Sequence, residues 1–180
     1  MIDIPRIKTE HLILCTLLIS DVPEMHNYLS KRRMPSIGGH CDKLCAWHAL
    51  LSSLGSWHLR GFGYWHTEHR ELGKMGVAGG FFHYFGWLEL KFGWNVRHNF
   101  QGKSMANEAV LAARCFGETH LNLYNLASFF DSAKNFFAAL VKRLEAPFVM
   151  TYCLRKRRCH TYRYPINLIL EMVTQSETNE

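Results

Sequence analysis

The residues best able to do chemistry run from Gly93 to Ala106: Gly93-Trp94-Asn95-Val96-Arg97-His98-Asn99-Phe100-Gln101-Gly102-Lys103-Ser104-Met105-Ala106. They join a strand-like run to a helical one. The first N–H groups of a helix lack partners within it and sit at the positive end of its dipole, which suits phosphate oxygens. Gly102 lets the backbone come close to an anion, Ser104 and Ala106 obstruct little, and Lys103 adds a charge at the rim. The chain carries 21 Lys+Arg against 15 Asp+Glu, a net +6. Such an excess favours an anionic partner without choosing among a phosphorylated cofactor, nucleic acid and a membrane surface. On residue types alone, an ordinary tight strand–helix turn explains the stretch as well as an anion site does.

Other clusters carry less. His40, Cys41, Cys45 and His48 share helical spacing but lack the second paired ligand group of a structural zinc site, so no metal is expected. With no basic stretch leading an apolar run at Met1–Pro5 and no apolar stretch long enough to span a bilayer, the chain reads as cytoplasmic, with no membrane partner. In that setting its six cysteines are expected to be thiols, including Cys153 and Cys159 around the last turn. Arg155-Lys156-Arg157-Arg158 suits phosphate, yet a solvated hairpin turn is the simpler account. The aromatic residues follow core periodicity rather than a base-stacking platform, which places nucleic acid last among the partners.

The anion turn needs a frame, and the rest of the chain supplies one. Leu12–Thr16 reads as a buried strand. Ser20-Asp21-Val22-Pro23-Glu24 starts a helix that ends near Leu29, and Pro35 with Gly38-Gly39 marks a loop. From Asp42, Leu44, Trp47, Leu50 or Leu51, Leu54 and Trp57 recur at helical spacing up to Gly61. Phe62–Thr67 and Met75–Phe82 predict a hairpin. Leu88–Val96 predicts a strand with a bulge or close backbone approach at Gly93. A helix over Lys103–Thr119, with a stripe of Ala106, Ala109 or Val110, Ala113 and Phe116, leads to a strand at Leu126–Phe130. A helix over Ala133–Leu144 and a strand pair, Pro147–Leu154 and Cys159–Tyr164, complete the order. Tight turns make neighbouring strands antiparallel, and Leu88–Phe130 should be a parallel crossover. The fold class is therefore α/β with a mixed sheet, in a single domain over residues 1–173 followed by a polar tail, 174–180.

The chain resembles the GCN5-related N-acetyltransferase (GNAT) family, in its ribosomal-protein N-terminal acetyltransferase branch. The residues that carry the resemblance are Ile4–Leu14, the turn quoted above with Asn107-Glu108-Ala109, Phe129–Ala133, Lys142-Arg143-Leu144 and Tyr162–Pro165. It implies a mostly antiparallel sheet of about seven strands with a V-shaped split, flanked by about four helices. It implies acetyl-CoA as cosubstrate, the pantetheine arm pairing with backbone groups of Trp94, Asn95 and Val96. The pyrophosphate would sit on Gln101, Gly102, Lys103, Ser104, Met105 and Ala106, with Asn135 opposite. The reaction implied is direct attack of a primary amine, a protein N-terminus or a small molecule, on the thioester. The acceptor itself is not legible, and the protein would act as a monomer or homodimer.

Several positions depart from the family pattern. Ser104 replaces a loop glycine, Lys134 an asparagine, Phe137 a serine proposed as proton donor, and Glu145 the glycine that ends a helix, which removes the usual left-handed cap; Val141 stands where other branches carry a tyrosine. Lys91 occupies a position where relatives often have a carboxylate. Glu89 lies two residues earlier on the same strand face and is the candidate base, with a solvated strand-end glutamate as the alternative. Positioning of reactants is worth ~7–11 kcal/mol, against ~10²–10⁴-fold for one acid or base. Transfer to an α-amino group therefore survives these losses better than transfer to lysine. A CoA-binding or interaction module that kept the fold without the chemistry is the alternative function.

Overall fold

The computed structural model describes residues 3–30, 41–73, 75–83, 85, 87, 89–96, 105–131, 141–154 and 157–165. Its elements are β1 (Ile7–Lys8), β2 (Leu12–Cys15), α1 (Val22–Ser30), α2 (Lys43–Arg60), β3 (Tyr64–His69), β4 (Met75–Phe82), β5 (Lys91–Val96), α3 (Met105–His120), β6 (Ala127–Asp131), β7 (Phe148–Leu154) and β8 (Arg157–Arg163). One eight-stranded sheet runs β1-β2-β3-β4-β5-β6-β8-β7. All neighbours are antiparallel except β5 and β6, the expected crossover around α3.

The strand count exceeds the expected seven because β1 pairs with β2 over only two residues, too few to show any alternation. β3 starts at Tyr64 rather than Phe62, and the residue just ahead of it is Gly63. Its carbonyl accepts from Phe81 N–H at 3.0 Å, and the Trp57 ring lies on it so closely that a Cβ there would come within 2.6 Å of Cδ1.

The core lies between the sheet and α3. Leu12, Leu14, Trp65, Phe81 and Phe92 from the strands meet Ala109, Val110 and Ala113 from the helix, all buried. Small residues on α3 let the helix settle onto the aromatic rings, with Trp65 edge-on to Phe81 at 5.9 Å and to Phe116 at 5.7 Å. A second cluster, Leu17, Met25, Cys41, Ala46 and Leu50, holds α1 against α2.

The α2 boundaries are those expected. Asp42 caps the N-terminus by accepting from Cys45 N–H at 2.7 Å, and Gly61 closes it in the left-handed region (φ 72°). The buried stripe is Ala46, Leu50 and Trp57, whereas Leu44 is 58% exposed. Trp47 and Leu54 of the predicted stripe pack against the core from its margin, so Leu44 is the member that stays outside.

Two expectations are corrected. Cys41 and Cys45 are joined as a disulfide, their Cα atoms 5.2 Å apart, so not all six cysteines are thiols. Residues flanking a helix cap by one turn fall within disulfide range, a proximity that reasoning from compartment overlooks. The other four, Cys15, Cys115, Cys153 and Cys159, are free. The left-handed cap is also kept at Glu145, which takes φ 53° despite its side chain. Ala146 N–H donates to Val141 O at 3.0 Å and Glu145 N–H to Lys142 O at 3.1 Å. This is the double closure usually built on glycine, and the Cβ costs roughly 1 kcal/mol.

The far end of α3 carries a buried ion pair. Arg114 Nε donates to Glu118 Oε1 at 2.9 Å, with both side chains below 10% exposed. The guanidinium also donates to the Pro165 carbonyl and lies over the Tyr164 ring at 5.2 Å. The chain leaving β8 is thereby fastened to α3. Among the described residues no helix is long and apolar enough to cross a membrane.

Candidate active site

Ladder geometry makes the cleft. β5 pairs with β4 at six positions, from Val77↔Val96 to Phe82↔Lys91. With β6 it pairs only at Lys91↔Ala127. One residue further, the buried Ser128 hydroxyl donates to Phe92 O at 2.6 Å and shares a hydrogen bond with Tyr164 Oη at 2.9 Å. A side chain spans what a ladder bond would have closed, so the strands diverge towards Val96 on one arm and Asp131 on the other. Burial pushes the Tyr164 phenol far above its ordinary value of 10, against the smaller opposing effects of Ser128 and Arg114. Tyr164 is a neutral strut.

The two faces of β5 differ. Phe92 and Trp94 point into the core, Phe92 stacked on Phe81 at 5.1 Å and Trp94 edge-on to Phe130 at 5.3 Å. Lys91, Gly93 and Asn95 lie on the opposite face, since strand side chains alternate. There the Lys91 ammonium sits 5.6 Å from the Trp87 ring centroid and 5.9 Å from that of Phe129. From α1, the Tyr28 hydroxyl reaches Val96 O at 3.5 Å, bringing the early helices to the open arm.

At the start of α3, Glu108 fastens the N-terminal hairpin. It accepts from Thr9 Oγ1 at 2.5 Å and from His11 N–H at 2.8 Å, and its other oxygen is 2.9 Å from His11 Nδ1. The bond to Glu108 raises the pKa of His11 above 6.5, against a smaller desolvation effect. Burial pushes Glu108 upward, but the bonds from Thr9 and His11 together outweigh it and leave the carboxyl below its ordinary value.

Of the residues expected to form the site, Trp94, Asn95 and Val96 lie on β5 along the diverging arm, and Met105 and Ala106 open α3. Trp94 is a core side chain, so only its backbone faces the cleft edge. Gln101, Gly102, Lys103, Ser104 and Asn135 lie outside the described residues, as do Lys134 and Phe137. Glu89, just ahead of β5, accepts from Arg163 Nη2 at 2.7 Å. Arg163 Nη1 in turn donates to the carbonyl and side-chain oxygens of Asn125, each at 3.0 Å. Of the four residues with helical His/Cys spacing, Cys41 and Cys45 bond to each other and His40 lies outside the described residues. Among the described residues no group of three or more His, Cys, Asp or Glu is placed to hold a metal ion.

Sequence reasoning missed Ser128, Tyr164 and the Thr9–His11–Glu108 clasp. Their partners are 36 and 97–99 positions apart, and no local spacing signals them.

The model of the acetyltransferase (GNAT) domain matches residues 11–146. No curated protein matches the chain at a significant level. Among solved structures, an acetyltransferase from Agrobacterium tumefaciens is 26% identical, with a TM-score of 0.81 over 92% of this chain and 96% of that one. The ribosomal-protein alpha-N-acetyltransferase RimL, solved with coenzyme A, is 13% identical (TM-score 0.72; 88% and 97% covered). The spermidine/spermine N-acetyltransferase SpeG from Vibrio cholerae is 12% identical (TM-score 0.70; 92% and 99% covered). The latter two are likenesses of fold.

Proposed function

Because the chain belongs to the GNAT acetyltransferase family, we propose that it is an acetyl-CoA-dependent N-acetyltransferase acting on a primary amine, a protein N-terminus or a small molecule, by direct attack. The observation that carries this reading is the divergence of β5 from β6 immediately after Lys91↔Ala127, one strand ahead of a helix N-terminus. An extended arm fits along such an edge in the manner of an added strand. Trp94, Asn95 and Val96 would hold the arm. Gln101, Gly102, Lys103, Ser104, Met105 and Ala106 would hold the pyrophosphate, and Asn135 the far side. When bound, acetyl-CoA supplies an activated acyl group on a good leaving thiol.

The chain's own work is to orient and to move protons. The Ser128–Tyr164 strut fixes the point where the arms meet, so the acceptor and the thioester are brought together at a set place. Glu89, steered by Arg163, is the proposed base for the ammonium proton, directly or through water. An α-amino acceptor, with pKa ~7.7–8.0, needs that help least. We place the reaction in the cytoplasm, in one domain over residues 1–173 working as monomer or homodimer.

Titration calorimetry with acetyl-CoA, followed by a panel of peptide and polyamine acceptors with free CoA thiol as readout, tests the proposal. Binding with enzyme-dependent thiol release is the expected result. No binding at millimolar acetyl-CoA would end it. The Glu89–Arg163 pair, which already occupies the candidate base, favours a second reading as a CoA-binding module without catalysis. Binding without thiol release on any acceptor would select that one.

A further inference from the structure

Resting on the acyl transfer proposed above, we infer that Tyr64 is the catalytic acid that protonates the departing sulfur, a role for which the sequence offers no obvious residue. In the register of the sheet, Tyr64 on β3 faces Gly80 on β4, and Gly80 faces Gly93 on β5. Residues directly opposite share one face of the sheet. Two glycines in a row leave that face bare, and the tyrosine ring crosses it. Gly80 takes φ 154°, and any Cβ there would run into the Gly63 carbonyl. The phenol oxygen ends over β5, 3.3 Å from where a Cβ of Gly93 would stand.

The residue is held there by one contact on its ring and two on its backbone. Phe82 packs on it with centroids 3.8 Å apart. The Tyr64 carbonyl accepts from Trp57 Nε1 at 3.0 Å and from Ser53 Oγ at 3.4 Å, both on α2. Gly93 lies two residues past the last β5–β6 pairing and directly before Trp94–Val96. The hydroxyl is thus at the cleft edge where the thioester end of the arm is proposed to lie. Lys91 Cε stands 3.4 Å from the same Cβ point, so an ammonium side chain and the phenol converge over Gly93.

The chemistry balances. The amine nitrogen forms the C–N bond to the acyl carbon as the C–S bond breaks, and the sulfur takes the bonding pair. The Tyr64 O–H proton goes to that sulfur, giving a neutral thiol. The proton lost by the amine nitrogen returns to the phenolate through the base or solvent. A phenol near 10 giving its proton to a thiolate near 8.5 is uphill by ~1.5 pKa units. The positive charge of Lys91, on the same face of the sheet, reduces that gap. Tyr164 cannot serve in its place, because it is buried and committed to Ser128.

The test compares wild type with Tyr64→Phe, which keeps the ring and its contact with Phe82. The expected result is a tenfold or greater loss of kcat, the range of one general acid being ~10²–10⁴, with the acetyl-CoA Kd unchanged within twofold. A smaller loss of kcat, or a loss confined to acetyl-CoA binding, overturns the assignment. If Tyr64→Phe does not fold, Phe82→Leu removes the packing partner and spares the hydroxyl. A fivefold or greater fall in kcat with binding intact then supports the role, and unchanged kcat overturns it. Wild type without turnover on any acceptor overturns the transferase reading itself, and this assignment with it.

Discussion

β5 separates two tyrosines with opposite duties. On its α3 face Tyr164 is sealed, bonded to Ser128, covered by Arg114 and kept neutral by burial. On the other face Tyr64 lies across bare glycines with its hydroxyl at the cleft edge. The same side chain is a strut where polar neighbours and burial saturate it, and a reagent where the sheet leaves its oxygen within reach of a reacting group. The difference comes from Gly80 and Gly93 rather than from the tyrosines. The sealed face should therefore govern stability and the open face turnover, and each substitution below tests one side of that division.

The largest expected effect is on the sealed face. Arg114→Met leaves Glu118 buried without its partner and should cost about 3–5 kcal/mol in denaturant unfolding. A loss under 1 kcal/mol would mean that this face is not the scaffold. Ser128→Ala comes next. It strips the Phe92 carbonyl and the Tyr164 hydroxyl of a buried partner, for about 1–3 kcal/mol. If Ser128→Ala instead leaves stability intact and abolishes turnover, the division of labour is reversed. Glu145→Gly, in the turn that leads to β7, should act with opposite sign. Relief of the left-handed Cβ strain gives a gain of about 1 kcal/mol by thermal unfolding, offset in part by the freer unfolded glycine.

The smallest effect concerns the clasp at the start of α3, which is exposed enough to titrate. His11 has its pKa raised above 6.5, so its contribution is complete below that value and is lost as pH rises through the raised one. Glu108 has its pKa lowered below 4.5, so its contribution is complete above 4.5 and is lost as pH falls through the lowered one. The clasp is firmest between these limits. Thermal midpoints across pH 5–9, for wild type and His11→Ala, should differ most near pH 5–6 and converge as His11 loses its proton. A constant gap across that range would show that the imidazole charge plays no part.

Much of the frame is legible in the chain itself. Asp42 and Gly61 bracket α2 as their residue types predict, and the small stripe on α3 meets the sheet where its periodicity says. These are local signals, read within one element. The site depends on register, which couples residues far apart in the chain. Nothing near Tyr64 reveals that Gly80 and Gly93 will line up beside it, because that follows from two hairpin registers at once. The sequence around Glu89 carries no sign of its partner, because Arg163 lies 74 positions away. Glu145 and the Cys41–Cys45 pair escape the sequence for a different reason. Residue averages forbid neither a strained glutamate cap nor a bond between nearby cysteines, and the surrounding turn geometry decides both.

The brevity of β1 has a consequence for how the molecule meets other chains. An outer strand of two residues offers few backbone groups to a foreign segment, so that margin of the sheet is a poor template for aggregation. On the β1 side, then, the sheet turns a blunt rim to its surroundings. The place proposed for an extended guest is instead interior, where β5 and β6 part after Lys91↔Ala127.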